Sequence, residues 1–266
     1  MISKSRLTLL RALRQKKNRS DLGLFVAEGD KLVLELLQSA LKVKTIYATE
    51  EWLEEYGESA EKAEEIVKAT KDDLSRISSL VTPQEVLAVA EIPQYALDYS
   101  KLLNDYCLVL DGIRDPGNLG AIIRIADWFG IRTIICSLDT ADVWNPKVVQ
   151  ASMGSLLRVR LFEISPNDFI SELRKTATES GQNAPPVFGT FLKGASIYEK
   201  EFPKSGCIVI GNEANGIRPE TENFITERIT IPSWHAKGDQ MGRPESLNAA
   251  VATAIVCSEM RRGNSN

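Results

Sequence analysis

The stretch that most constrains this chain is Tyr106–Leu110, a strand-like run that is apolar at every position, matched later by the apolar run Cys207–Ile210. A strand apolar on both faces needs cover on both, which suits the centre of a parallel sheet flanked by helices. The sequence between and after these runs supplies the helices. Leu119–Phe129 predicts a helix with Gly130 as its stop. Then come a strand over Arg132–Cys136, a helix over Pro146–Met153, a strand over Leu156–Phe162 and a helix over Pro166–Ser180. Strands over Val187–Phe191 and Arg228–Ile231 and a last helix from about Leu247 to Arg262 complete the set. Strands alternating with helices imply a mostly parallel sheet.

The first hundred residues read as a smaller α/β domain. Strands are predicted over Leu24–Ala27, Val43–Ala48, Glu65–Ala69 and Glu85–Ile92. A helix over Gly29–Leu41 has apolar residues at Leu32, Val33, Leu36 and Leu37. A short helix follows over Glu50–Tyr56, and another, N-capped by Thr70, runs to about Leu80. Pro93–Asp105 has no clear period beyond a short run around Leu102. The division expected is therefore residues 1–95, a linker over 96–105, and residues 106–266.

Composition excludes several classes. A hydrophobic content of 43% over 266 residues is ordinary for a globular protein. No run of about 18 apolar residues occurs, so no membrane span is expected, and the first 20 residues lack the apolar core of a secretory signal. Cys107, Cys136, Cys207 and Cys257 each lie in apolar runs with no C-x-x-C spacing, as reduced buried thiols of a cytoplasmic protein do. With His235 the sole histidine, no metal site is expected. No G-x-G, G-K-[ST] or G-x-S-x-G occurs, which removes the dinucleotide fold, the P-loop and the serine hydrolase elbow. Net charge is −4, yet Lys4, Arg6, Arg11, Arg14, Lys16, Lys17 and Arg19 all precede the first acid, Asp21. That basic arm is either a phosphate-binding surface or an ordinary solvated helix face. The acidic stretch from Glu50 to Glu65 reads as a solvated helix and turn.

Three polar corners interrupt the second half: Asp115 to Arg124 (DPGNLGAIIR), Ile210 to Gly216 (IGNEANG) and Glu245 to Ala250 (ESLNAA). Corners at strand ends and helix starts leave backbone N–H groups free for a ligand. Asn118 is positioned to cap the helix from Leu119. Arg124, between Ile122, Ile123, Ile125 and Ala126, is an anion clamp in a pocket, or else a structural ion pair or an exposed face of the helix. Glu213 sits between Gly211 and Gly216 in a turn, and Ser246 and Asn248 open the final helix, where Ser246 is a candidate N-cap.

In order and spacing, these three corners resemble the signature motifs of the SpoU/TrmH group of SPOUT RNA 2′-O-ribose methyltransferases, over about residues 105–262. The segment from Lys147 to Ser155 (KVVQASMGS) is similar to the family's stretch between its first two motifs. Lys17 to Arg19 and Leu24 to Gly29 resemble, less specifically, the ribosomal-protein-like RNA-binding module that precedes this domain in many members.

The resemblance implies an α/β fold with a C-terminal trefoil knot, a feature rare among folds, preceded by the small α/β RNA-binding domain. It implies S-adenosyl-L-methionine as cofactor, held by Gly189, Gly211, Ile231 and Leu247, and a homodimer. It implies Asn118, Arg124, Glu213, Ser246 and Asn248 as the catalytic set, and Arg14, Lys16, Lys17 and Arg19 as RNA contacts. Because a guanidinium resists deprotonation, Arg124 is expected to steady the developing alkoxide rather than act as a base. Ribosomal RNA is the expected substrate; a tRNA methyltransferase and an idle RNA-binding or assembly protein are the competing readings. Residues 233–245 exceed the usual family spacing, and Trp234, His235, Lys237 and Arg243 there suit either a lid or an RNA contact.

Overall fold

A computed structural model describes residues 2–234 and 245–262. In chain order the elements are α1 (Lys4–Ala12), α2 (Lys16–Leu22), β1 (Leu24–Glu28), α3 (Asp30–Gln38), β2 (Val43–Ala48), α4 (Glu50–Ala60), β3 (Glu65–Lys68), α5 (Lys71–Ile77) and β4 (Val86–Glu91). They continue with α6 (Tyr99–Leu102), β5 (Tyr106–Asp111), α7 (Pro116–Trp128), β6 (Thr133–Cys136), α8 (Pro146–Ala151), β7 (Arg160–Glu163) and α9 (Pro166–Glu179). The last are β8 (Val187–Ser196), β9 (Gly206–Gly211), α10 (Pro219–Glu222), β10 (Glu227–Thr230) and α11 (Ala249–Arg262).

The chain forms two compact units. The first contains residues 1–95 together with Asp142–Leu157. Its sheet has the order β1-β4-β2-β3, antiparallel except for the β2–β3 pair. All four apolar residues that predict α3 are buried. Thr70 caps α5 in a reciprocal box with Asp73: Asp73 N–H donates to Thr70 Oγ1 at 3.1 Å and Thr70 N–H to Asp73 Oδ2 at 3.3 Å. The basic arm is two helices, with Leu10 and Leu13 in the core. In the returning segment, α8 packs on β1 and the Trp144 ring lies 4.6 Å from that of Phe25. Positive φ angles at Met153 and Gly154 turn the chain there, so β7 begins at Arg160 rather than at the predicted Leu156.

The second unit contains residues 96–141 and 158–266. Its six strands run β10-β8-β9-β5-β6-β7, every neighbouring pair parallel. The two apolar runs are its central neighbours, with Cys107 opposite Cys207 and Asp111 opposite Gly211. Helix α9 buries Phe169, Ile170 and Leu173 against this sheet, in one cluster with Val109, Ile135 and Val209. Helix α11 follows the edge strand β10 yet packs on α7 and β9. Two helix starts differ from expectation. Asp115, not Asn118, caps α7, accepting from Asn118 N–H at 2.8 Å with Pro116 at the first helical position. Asn248, not Ser246, caps α11, its Oδ1 accepting from Ala250 N–H at 3.0 Å. In both cases the oxygen two or three residues before the free amide wins.

Candidate active site

The carboxyl ends of parallel strands are where ligands bind in open α/β sheets, and the three polar corners meet there. With Asp115 doing the capping, the Asn118 side chain is released from helix duty. Its Nδ2 donates to Glu213 Oε1 at 2.5 Å, and its Oδ1 accepts from Asn248 Nδ2 at 2.8 Å. One amide thus ties the start of α7, the turn after β9 and the start of α11. Residues 95 and 130 positions apart in sequence are joined through a single side chain.

The turn that carries Glu213 is closed on itself. Asn212 N–H donates to Gly216 C=O at 3.0 Å and Gly216 N–H to Asn212 C=O at 2.8 Å. Asn212 Oδ1 accepts from Ala214 and Asn215 N–H, and its Nδ2 donates to Gly112 C=O at 2.9 Å. Glycine is required at 211: a Cβ there would stand 2.3 Å from the Gly216 carbonyl carbon and 2.4 Å from Ile217 N.

Beneath this turn lies an ionic network the motifs did not include. Asp111, fully buried at the end of β5, accepts from Arg218 N–H at 2.9 Å and Nε at 2.6 Å, and pairs with its terminal nitrogen. Arg218 reaches Asp139 at 3.4 Å, which also pairs with Arg114 at 2.9 Å and accepts from Ser137 Oγ at 2.8 Å. Burial works against the Asp139 charge, but Arg114, Ser137 and Arg218 outweigh it and hold its carboxyl below the usual range. Only one signal in the sequence pointed here: a carboxylate directly after five apolar strand residues.

The other expected residues fall differently. Arg124 is exposed, and among the described residues its side chain makes no hydrogen bond or ion pair. Of the sequence readings, the exposed helix face is the one found, and a guanidinium buried in a pocket is corrected. Residues one position apart on a helix point about 100° apart, so Ile123 and Ile125 do not surround it. Ser246 is exposed and, among the described residues, hydrogen-bonds to nothing. Gly211 and Ile231 are half-buried near the strand ends, and Leu247 is 45% exposed. Gly189 is buried within β8, where a Cβ would meet Phe191 at 2.6 Å and Ile225 at 3.0 Å; its smallness serves packing.

In the first unit, Lys16 and Lys17 are exposed, and the exposed Arg14 donates to the carbonyls of Ile77 and Ser78. Arg19 is a correction. It is 2% exposed, donating to Leu13 C=O at 2.6 Å and pairing with Asp142, so its charge is consumed inside the unit. Trp234 is 90% exposed; His235, Lys237 and Arg243 lie outside the described residues. Among the described residues no helix is long and apolar enough to cross a membrane and no cluster of three metal-ligating side chains occurs.

The model of the SpoU rRNA methylase family matches residues 105–258, the stretch that contains all three corners. The chain belongs to the SpoU rRNA methylase family. An MRM3-like substrate binding domain matches residues 4–88. Among relatives of this SpoU chain, the 23S rRNA (guanosine(2553)-2′-O)-methyltransferase RlmP of Bacillus subtilis (strain 168) is 29% identical over 251 residues, covering 94% of this chain and 93% of its own. A protein from Porphyromonas gingivalis, assigned to the TrmH family of RNA methyltransferases, is 39% identical with a TM-score of 0.85, covering 99% of both chains. The AdoMet-bound rRNA methyltransferase of Sinorhizobium meliloti is 29% identical with a TM-score of 0.83, over 100% of this chain and 97% of that one.

Proposed function

We propose that the protein methylates a ribose 2′-hydroxyl in ribosomal RNA, with S-adenosylmethionine as donor. The observation that carries this reading is the Asn118 bridge, which joins Glu213 and Asn248 at the carboxyl end of the sheet. An idle scaffold has no need of one amide that holds a carboxylate at one end and a second amide at the other. Ribosomal RNA is favoured over tRNA because a relative that matches 94% of the chain is a 23S rRNA enzyme.

The residues present suit the cofactor. Leu247 and Ile231 offer apolar surface for a purine, and Gly211 permits close backbone approach. When bound, S-adenosylmethionine supplies an electrophilic methyl group on a sulfonium. The chain must then align a weak nucleophile and manage its proton. Holding reactants in line contributes as much as about 7–11 kcal/mol in favourable cases. Asn118 and, at 3.5 Å, Asn212 use two acceptor positions of Glu213; a carboxylate has about four, which leaves capacity to accept the ribose hydroxyl hydrogen bond. Asn248, fixed by Asn118, and Ser246 shape the site near the hydroxyl. Arg124 stands six residues, about 9 Å, along α7 from Asn118. From its exposed position it holds the neighbouring phosphate and steadies negative charge on the attacking oxygen.

In this reading the second unit is the methyltransferase domain and the first, residues 1–95 with Asp142–Leu157, is the RNA-binding domain; residues 96–105, expected as a linker, open the second unit. Arg14, Lys16 and Lys17 form the RNA-facing surface. A trefoil knot is supported by the return of α11 from the sheet edge to α7 and by the tight pass of Gly211 against Gly216 and Ile217. A homodimer is supported by a hollow beside α11 lined by Phe129, Tyr198, Ala254, Ile255, Ser258 and Glu259, and by the 85% exposure of Trp128, the residue before Phe129. The cytoplasm, where ribosomes are made, is the corresponding location.

The test is to map 2′-O-methyl positions in total RNA with and without the gene, and to assay the purified protein on 23S transcript with labelled S-adenosylmethionine. One ribosomal position must lose its methyl group when the gene is absent. Arg124→Ala should abolish transfer and leave cofactor binding nearly intact. Wild-type turnover in that variant would refute its role.

A further inference from the structure

We infer that Arg218 is a positioning residue for methyl transfer: locked onto Asp111, it sets the turn that presents Glu213. This rests on the reading of Glu213 as a site residue.

The two oxygens of Asp111 are both committed to residue 218. Oδ2 takes the Arg218 backbone N–H and Oδ1 takes its guanidinium. An ionised carboxylate buried at the end of a central strand is costly unless paired, so the pair is made wherever the chain folds. Its partner is not on a neighbouring strand but two residues beyond Gly216, where the turn ends. The same strand end holds the start of that turn. Gly112, the residue after Asp111, accepts at its C=O from Asn212 Nδ2 at 2.9 Å and donates its N–H to Ser137 Oγ at 2.8 Å. Residues 212 and 218 are therefore both pinned to the end of β5, and Glu213 sits on the span between them.

The guanidinium also ties β6 into the frame through Asp139, which Ser137 and Arg114 hold in place. A shift of Arg218 moves one anchor of the span while the other stays fixed. The Glu213 carboxylate then leaves Asn118, whose other end is held by Asn248. The backbone bond from Arg218 N–H to Asp111 survives loss of the side chain, so the turn is loosened rather than released. A displacement of about 1 Å in such a site costs as much as about a hundredfold in rate.

The experiment is a double-mutant cycle on the full chain, with 23S transcript as substrate. Glu213→Gln, Arg218→Gln and the combination are compared by single-turnover rate, with S-adenosylmethionine affinity measured by calorimetry. Arg218→Gln should lower the rate roughly tenfold or more, Arg218→Lys should recover part of it, and affinity for RNA should change little. In the Glu213→Gln background, Arg218→Gln should cost almost nothing further, because it acts through that carboxylate. Full multiplicative losses, or a wild-type rate in Arg218→Gln, overturn the inference. If leaving Asp111 unpaired unfolds Arg218→Gln, the pair Asp111→Asn with Arg218→Gln removes the orphaned charge and is put through the same cycle. A wild-type rate in Glu213→Gln itself, by contrast, sinks the reading of the site and not only of its brace.

Discussion

At the residue scale, Asn118 does the most with the fewest atoms. Its amide has one donor and one acceptor directed to different chain segments, and neither alanine nor aspartate can do both. Asn118→Ala is expected to lower the methyl-transfer rate by about ten- to a hundredfold and to leave unfolding nearly unchanged, because Asp115 still caps α7. Rate and urea midpoint measured on one preparation separate the two effects. Asp139 gives a pH prediction. Its folded-state pKa is held below the ordinary value of about 3.9, so its stabilisation is present above that value and lost as pH falls through the folded one. The melting temperature of wild type should exceed that of Asp139→Asn at neutral pH, and the gap should close below about pH 4. A gap that stays constant down to about pH 3 contradicts the assignment.

Residue-scale facts were also the least legible in the sequence. Arg124 looks buried beside its sequence neighbours, but its neighbours on the helix surface are Gly120, Ala121, Asp127 and Trp128, of which Trp128 is itself exposed. Arg19 looks solvated because it follows a run of cations; only the three-dimensional return of Asp142 makes it an interior residue. Arg218 lies just past a motif and carries no local pattern. Pairing across 107 positions has no periodicity to betray it.

At the scale of elements, prediction succeeded where an unbroken apolar run or a helical period marks what is buried. The apolar runs became β5 and β9, and Leu32, Val33, Leu36 and Leu37 became the buried stripe of α3. The helices α1 and α2 were harder to see. Leu10 and Leu13 enter the core, but charged and polar residues surround them in the sequence, so no strong stripe stands out. Two substitutions test elements. Phe169→Ala empties a fully buried site on α9, where the ring stacks at 5.8 Å on Tyr99; it should cost about 3–5 kcal/mol in denaturant unfolding. Gly211→Ala forces the end of β9 away from Gly216 and Ile217 and should weaken S-adenosylmethionine binding more than it lowers stability. Calorimetry beside thermal melting reads both.

For the whole molecule, the alternation of elements was enough to predict the parallel sheet, but strand order was not. Nothing in sequence tells β10 to lie outside β8 or α11 to come back to α7, since those choices depend on interactions among residues far apart. RNA engagement belongs to this scale too. Removing the first 20 residues is the wrong probe, because Leu10, Leu13 and Arg19 belong to the interior of the first unit. Replacing exposed Lys16 and Lys17 with glutamine should instead weaken RNA binding. It should also flatten the slope of log affinity against log salt by about 0.7–0.9 for each phosphate no longer neutralised. An unchanged slope removes this face from the RNA-binding surface.

Finally, the chain leaves the second unit after Ala141 and does not rejoin it until Arg158. On that excursion it carries Val148, Val149 and Leu156, all buried. A cut between Tyr95 and Ala96 would therefore yield a catalytic fragment that drags a sticky apolar flap with nothing to shelter it, and a recognition fragment short of part of its wall. The two halves cannot be traded between genes by one crossover. Any swap of RNA specificity has to move two separate stretches of coding sequence at once, which couples the inheritance of substrate recognition to that of the chemistry.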